Sequence, residues 1–300
     1  MQRFIGLMLL LCSMSVSAEQ SLHKRIDLQD QVISQVYVSG FITLELTQNS
    51  QQSVEIYWRK NSVDQLKVGI EENEQNKLLF IKAVDRGSVE SWDKTPIAHV
   101  IVNLNKLSQL TAHHAHWLAV ENFTDQALAL EITGESRVTF NNLNYQNLVG
   151  QIKHTATLVV RDSQIKMNQF RGYGAPKILF QNHTAEMINV GLFDHARMSI
   201  ENSNTASLYL SGTYKTQMRL NKQSSADFVA LYASVDALME LQDSQVKTAD
   251  VKVTHNGKVN LGNVEVLTVN GLNQGMVSYQ GKAIVKTDLK DKAQVKAVGL

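Results

Sequence analysis

Apolar side chains recur along this chain in pairs two residues apart, and the pairs recur at a fixed interval. Leu118/Val120, Val138/Phe140, Leu158/Val160, Ile178/Phe180, Met198/Ile200 and Met218/Leu220 have first members 20 residues apart, five times running. After one inserted residue near Gln223–Asp227 the series continues at Met239/Leu241 and Val259/Leu261. It then steps by 18 to Val277/Tyr279 and Val295/Ala297, with Val100/Val102 a further candidate at the start. A spacing of two puts both side chains on one face of a strand. A second alternating segment lies eight residues upstream in most repeats, as in Leu130/Ile132, Val190/Leu192, Leu210/Gly212 and Val251/Val253. Each repeat therefore predicts two short strands separated by a turn. One such coil cannot bury its apolar face alone, and stacking the coils supplies the missing cover. The expected fold is all-β, a parallel β-helix or solenoid with coils of about 20 residues. Asp227–Gln242 also fits a helical pattern, but Leu231 and Met239 keep the strand register.

Two residues beyond most downstream pairs stands Asn or Asp: Asn122, Asn142, Asp162, Asn182, Asn202, Asp243 and Asn263, with Lys222 the exception. Both residue types tolerate left-handed backbone, so the column reads as a structural turn ladder. Before residue 98 the pattern is less regular. Val36–Val38, Ile42–Leu46, Val54–Ile56 and Leu78–Phe80 read as strands, and Gln48–Ser53 as a hairpin-type connection. Residues 19–97 are expected to form an irregular β cap, continuous with repeats over 98–300. Asp85–Thr95 reads as an exposed polar excursion.

Composition sharpens this picture. Two prolines in 300 residues suit long ladders, since proline donates no hydrogen bond to a sheet. Arg3, the apolar run Phe4–Cys12 and the small residues of Val16-Ser17-Ala18 read as a secretory signal over residues 1–18, too short to span a bilayer. Cys12 is the sole cysteine, so the mature chain is expected to rely on packing without disulfides. Removing that segment takes away Arg3 and no acid, bringing the net charge from +1 to zero. No basic block marks a nucleic-acid partner or an anionic membrane, and no transmembrane segment follows the signal. The expected location is exported: periplasm, outer-membrane surface or extracellular.

Candidate chemistry is sparse. His113-His114-Ala115-His116 offers three imidazoles, but strand geometry sends His114 and His116 one way and His113 the other. With no cysteine, and no carboxylate in the next four residues, these read as surface or turn histidines rather than a metal site. His114, His154 and His255 share a turn position. Asp194-His195 has no nucleophile to serve. Asp162, Glu201 and Asp243 do not stack on neighbouring coils as a glycosidase pair would. No catalytic residue, metal ligand or cofactor is assigned. Trp58, Trp92, Trp117, Tyr145, Tyr173 and Tyr214 are the expected exposed aromatics, with Tyr173 and Tyr214, in turns, the candidates for a binding edge.

The segment Val38-Ser39-Gly40-Phe41-Ile42-Thr43-Leu44-Glu45-Leu46-Thr47-Gln48 resembles the opening phrase of the auto-transporter adhesin family with a head GIN domain. Ser53-Val54-Glu55-Ile56 is similar to its next strand, and Val269–Gly281 followed by Ala293–Lys296 to its closing phrases. The resemblance spans roughly residues 30–298. The family's Ser-Gly-Ala-Ser turn is mostly lost here, with only Gly172, Gly212 and Gly271 keeping its glycine. The resemblance implies an exported bacterial envelope protein. From this follows the expectation of a non-catalytic, adhesin-like protein that recognises a glycan or protein partner through the solenoid surface. A periplasmic scaffold without a small ligand and a polysaccharide-active enzyme are the alternatives.

Overall fold

The structure, a computed structural model, describes residues 21–28, 31–59, 65–73, 76–83, 96–221 and 223–298. The signal segment with Cys12, the Asp85–Thr95 excursion with Trp92, and Lys222 lie outside the described residues. Among the described residues there is no α-helix; the regular elements are 26 strands. They form stacked coils, each giving one strand to sheet A and one to sheet B.

Sheet A contains the apolar pairs of the sequence in unbroken parallel register. Leu118, Val138, Leu158, Ile178, Met198, Met218, Met239, Val259, Val277 and Val295 stand over one another. The inserted residue before Met239 is taken up in the turn at Gln223, and the first shortened step is met by losing a corner turn, with the ladder irregular between Asn260 and Asn263. Sheet B stacks Leu130, Gly150, Phe170, Val190, Leu210, Leu231, Val251 and Val269 in the same way. Inward residues of the two sheets meet in one continuous buried core. Asp227–Gln242 is taken up by most of the strand Ser225–Ser234 and by the strand Leu238–Leu241, as its alternation requires.

The first coils are threaded out of sequence order. In chain order the N-terminal strands are β1 (Ser21–Asp27), β2 (Ile33–Ser39), β3 (Ile42–Gln48), β4 (Ser53–Arg59) and β5 (Leu66–Asn73). They continue as β6 (Asn76–Ala83), β7 (Ala98–Leu104), β8 (Gln109–His113) and β9 (Trp117–Glu121). The coil β2–β3 lies between β6–β7 on one side and β8–β9 on the other, parallel to both. Val100/Val102 is thus a rung, but Leu44/Leu46 separates it from Leu118/Val120. The hairpin expected at Gln48–Ser53 does not form. Strand β7 occupies the place beside β3, and β4 pairs antiparallel with β7 instead. Antiparallel strands close this end, β1 on β4 in sheet A and β5 on β6 in sheet B.

Turns are set by backbone left-handed at one position per corner. From sheet A to sheet B this falls on Asn122, Asn142, Asp162, Asn182, Asn202 and Gln223; Asp243 and Asn263 do not adopt it. Asn263 sits instead inside the 14-residue strand Lys258–Gly271, which runs from one sheet into the other without a turn. Asn142 Nδ2 donates to Asn122 Oδ1 (2.7 Å) and Asn182 Nδ2 to Asp162 Oδ1 (2.8 Å), tying alternate pairs of coils. Just inside this corner the serine hydroxyls are buried. Ser163 Oγ accepts from Leu143 N and donates to Arg161 O, and Ser203 Oγ repeats the pattern with His183 N and Glu201 O. These bonds satisfy corner amides that the ladders leave over.

At the opposite corner the left-handed position is held by His114, Gly134, His154, Gly174, Asp194, Tyr214, His255, Asn273 and Asp291. The coil after Tyr214 departs from this, with two successive left-handed residues, Val235 (φ 50°) and Asp236 (φ 63°). Ala237 N donates to Ser234 O across them (3.2 Å), the arrangement of a type I′ turn. A β-branched residue is the poorest choice there, because its Cβ crowds the carbonyl. Val235→Asn is therefore expected to raise stability by about 1 kcal/mol, measurable as a higher urea midpoint with an unchanged slope. A lower midpoint would contradict this account of the turn.

Candidate functional site

Outward residues of sheet B form columns between the buried ones. Two adjacent columns carry Asn189, Tyr209, Ala230 and Asp250 in one, and Ser211, Tyr232 and Lys252 in the other. Large and small side chains lie on opposite diagonals of this grid. Tyr209 faces Ala230 across the ladder, and Ser211 faces Tyr232. The small residues leave a hollow of about 280 Å³, with the phenol rings as walls and Asn189, Asp250 and Lys252 at its margins. Phe228 packs against Tyr209 from the side (centroids 5.8 Å apart, planes at 58°). Lys252 Nζ lies 5.6 Å from the Tyr232 ring centre, a cation–π distance that steadies the second wall.

A larger hollow of about 710 Å³ opens where the coil step shortens and the corner turn is lost, between Ser225, Gln245, Asn263 and Ile284. Two of its charges serve one another. Lys247 Nζ lies 2.6 Å from Asp227 Oδ1, and the bond to Asp227 raises the ammonium's pKa, with smaller help from Glu265. The smaller hollow, with aromatic walls and polar groups at its margin, is the better candidate for a ligand.

The residues singled out from the sequence lie elsewhere. Tyr173 stacks face to face on Phe193 (5.0 Å, 5°), while Tyr214, 55% exposed, holds a left-handed turn position two coils further on. Neither lines either hollow. Tyr145 is not an exposed aromatic: it is wholly buried, its hydroxyl donates to Leu107 O (2.9 Å), and burial raises its pKa well above the usual phenol value. Trp58 is half-buried against the core, whereas Trp117 is exposed.

The histidine triplet spreads out. The ring of His113 lies 5.4 Å from Tyr37 and that of His116 4.3 Å from Phe41. Burial, and secondarily the charge of Arg137, lower the pKa of His116. The ring of His114 fills the space where a side chain on Gly134 would stand, so glycine is required there. Among the described residues no three His, Cys, Asp or Glu gather as metal ligands would. Asp194 Oδ2 accepts from Gly174 N (3.2 Å), a turn-stabilising bond. Asp162 accepts from Asn182, and Glu201 from Ser199 and Asn221.

One polar pair is sealed in the core. Asn168 occupies a sheet B column otherwise filled by Leu148, Ile188 and Leu208, and its Nδ2 lies 3.1 Å from His183 Nε2. Asn168 Oδ1 and His183 Nδ1 make no hydrogen bond among the described residues. Burial lowers the His183 pKa to about 4, opposed in part by the Ser163 backbone. The imidazole is therefore neutral at pH 7, and its Nε2 accepts from the amide.

The stacked two-sheet coils, with a continuous core and side-chain-covered outer faces, define a parallel β-solenoid. The chain belongs to the family described as "Putative auto-transporter adhesin, head GIN domain", which matches residues 34–213. It is similar in fold to a "putative adhesin" from Parabacteroides distasonis, at 14% identity and a TM-score of 0.55, covering 94% of this chain and 98% of that one. It also matches a "putative adhesin" from Parabacteroides merdae, at 14% identity and a TM-score of 0.45 over 93% and 96%. A "Putative lipid binding protein" from Parabacteroides distasonis matches at 12% identity and a TM-score of 0.46 over 93% and 97%. No curated protein matches the chain. Among the described residues no helix is long and apolar enough to cross a membrane.

The buried imidazole sets a pH dependence. An unfolded histidine titrates near 6.5, so between about pH 6.5 and 4 the unfolded chain binds more protons than the folded one. The His183 contribution is complete above pH 6.5 and is lost on acidification toward 4, by up to about 3 kcal/mol. Urea titrations across this range should show the loss. The double variant Asn168→Leu/His183→Leu should flatten it, while His183→Leu alone, leaving the buried amide only its bond to Ile165 O, should destabilise at every pH. An unchanged pH profile in the double variant would show that other groups govern it.

Proposed function

We propose that this chain is a non-catalytic, adhesin-like protein of the bacterial envelope that holds a glycan on the outer face of sheet B. Its family supports a surface or exported role, as an auto-transporter adhesin. The observation that carries the choice of ligand is the hollow between Tyr209 and Tyr232. Two aromatic walls about one coil apart suit the apolar faces of sugar rings, and Asn189, Ser211 and Asp250 offer hydrogen bonds to hydroxyls at the margin. A strand-built platform also holds these groups rigidly, so little ordering opposes binding.

Titration of the full chain with a panel of neutral cello-, xylo- and chito-oligosaccharides, followed by calorimetry, tests this reading. At least one series should bind. Tyr209→Ala/Tyr232→Ala should weaken it by roughly ten- to a hundredfold, about 1–3 kcal/mol, with the strand signal in circular dichroism retained. Absence of binding across the panel, or equal affinity in the double variant, would remove the glycan reading. Location is tested separately by protease treatment of intact cells beside a periplasmic control protein. Loss of the chain with the control spared is the expected result, and protection until the outer membrane is broken would favour a periplasmic scaffold.

A further inference from the structure

The outer face of sheet A differs in character from that of sheet B. One of its columns runs Trp117, Arg137, Thr157, Lys177, Arg197 and Gln217 in successive coils. The three cations are exposed, and none of them has an ion-pair partner among the described residues. Arg137 and Lys177 stand two coils apart, Lys177 and Arg197 one, so the charges follow a line of about 14 Å at the usual strand spacing. The adjoining column is neutral over the same coils, with Thr139, Val159, Leu179 and Ser199. One column further on run Glu121, Asn141, Arg161, Gln181 and Glu201, where Glu121 is held by Asn141 and Glu201 by Ser199 and Asn221 rather than by the cations. In the turns beside the line, Glu135 has no ion-pair partner among the described residues and Asp194 accepts from Gly174 N.

We infer that this column is a binding line for a linear, carboxylate-bearing polysaccharide lying along the solenoid axis, with Trp117 (37% exposed) stacking on a sugar ring at its end. Three unpaired cations in single file complement an anionic chain. The flanking column keeps an excess of carboxylate, Glu121 and Glu201 against Arg161, which disfavours a broad anionic surface such as a membrane that could not touch the line without approaching both acids. A whole-chain charge of +1 gives no extended field of the kind that holds a nucleic acid. The site is separate from the sheet B hollow and does not depend on it.

Polygalacturonate is the test ligand, with dextran as the neutral control, titrated against the full chain at low salt. Binding should be confined to polygalacturonate and should weaken as sodium chloride is added. Arg137→Gln/Lys177→Gln/Arg197→Gln should lose roughly tenfold or more in affinity. A variant with the same net charge, Lys67→Gln/Lys106→Gln/Lys166→Gln, should lose less than about twofold. Trp117→Ala should weaken binding without altering its salt dependence. The stripe variant should leave any neutral-oligosaccharide binding at Tyr209 and Tyr232 unchanged, so the two sites fail or stand independently. No binding of polygalacturonate would overturn the proposal, as would equal losses in the two triple variants. Equal or tighter binding of phosphatidylglycerol vesicles or single-stranded DNA would overturn it too, in favour of a general anion surface.

Discussion

Everything in this molecule depends on the backbone of each coil finding its hydrogen-bond partners in the next. The ladders run through the corners as well as the strands: Thr155 N bonds Gly134 O, Ala175 N bonds His154 O, and His195 N bonds Gly174 O. A coil whose turn drifted out of step would strand these groups, each at a cost of about 1–3 kcal/mol if buried. This requirement explains why left-handed residues recur at fixed corner positions. It also explains why a glycine stands where the ring of His114 leaves no room for a side chain. Core side chains then follow, because fixed register places like position over like.

With the fold secured by backbone pairing and inward columns, the outward columns are free to vary. Sheet B uses that freedom to set aromatic and small residues on crossed diagonals; sheet A uses it to align cations while Glu121 and Glu201 are engaged by amides and a hydroxyl. The two faces thus present different chemistry on one rigid support, and neither needs a loop to be ordered on binding. Such rigidity lowers the ordering cost of the recognition proposed above. The titratable groups most perturbed by burial, His183 and Tyr145, are in the core, away from either face.

The ten rungs from Leu118/Val120 onward were legible in the sequence because inward positions repeat at nearly constant spacing, and spacing is what a sequence displays. The family likeness around Val38–Gln48 was legible too. The placement of that segment was not, since nothing in its spacing reveals that β2–β3 lies between two later coils. Tyr145 was read as exposed for a local reason. The ladder skips Gln146, so the inward residues Tyr145 and Leu148 are three apart and simple alternation fails. The walls of the sheet B hollow were missed because Tyr209 and Tyr232 are outward members of strands noticed for their inward ones. Their adjacency appears only once the inserted residue between the coils is absorbed in a turn. Asn168 and His183 left no trace in a pattern of apolar positions, being polar residues in apolar columns.

The order of the first coils has a bearing on how the chain acquires its shape in time. Both neighbours of β2–β3 come later in the sequence, β6–β7 and then β8–β9. A chain emerging from its N-terminus cannot complete this layer until residue 121 has arrived, however early the segment itself appears. From there each new turn of about 20 residues has a finished template waiting, and growth can proceed one layer at a time. Assembly thus divides into a slow opening step, with long loops to close, and a succession of short local additions. A lesion before residue 121 would therefore delay the whole molecule, whereas one near the far end would leave most of the stack already built.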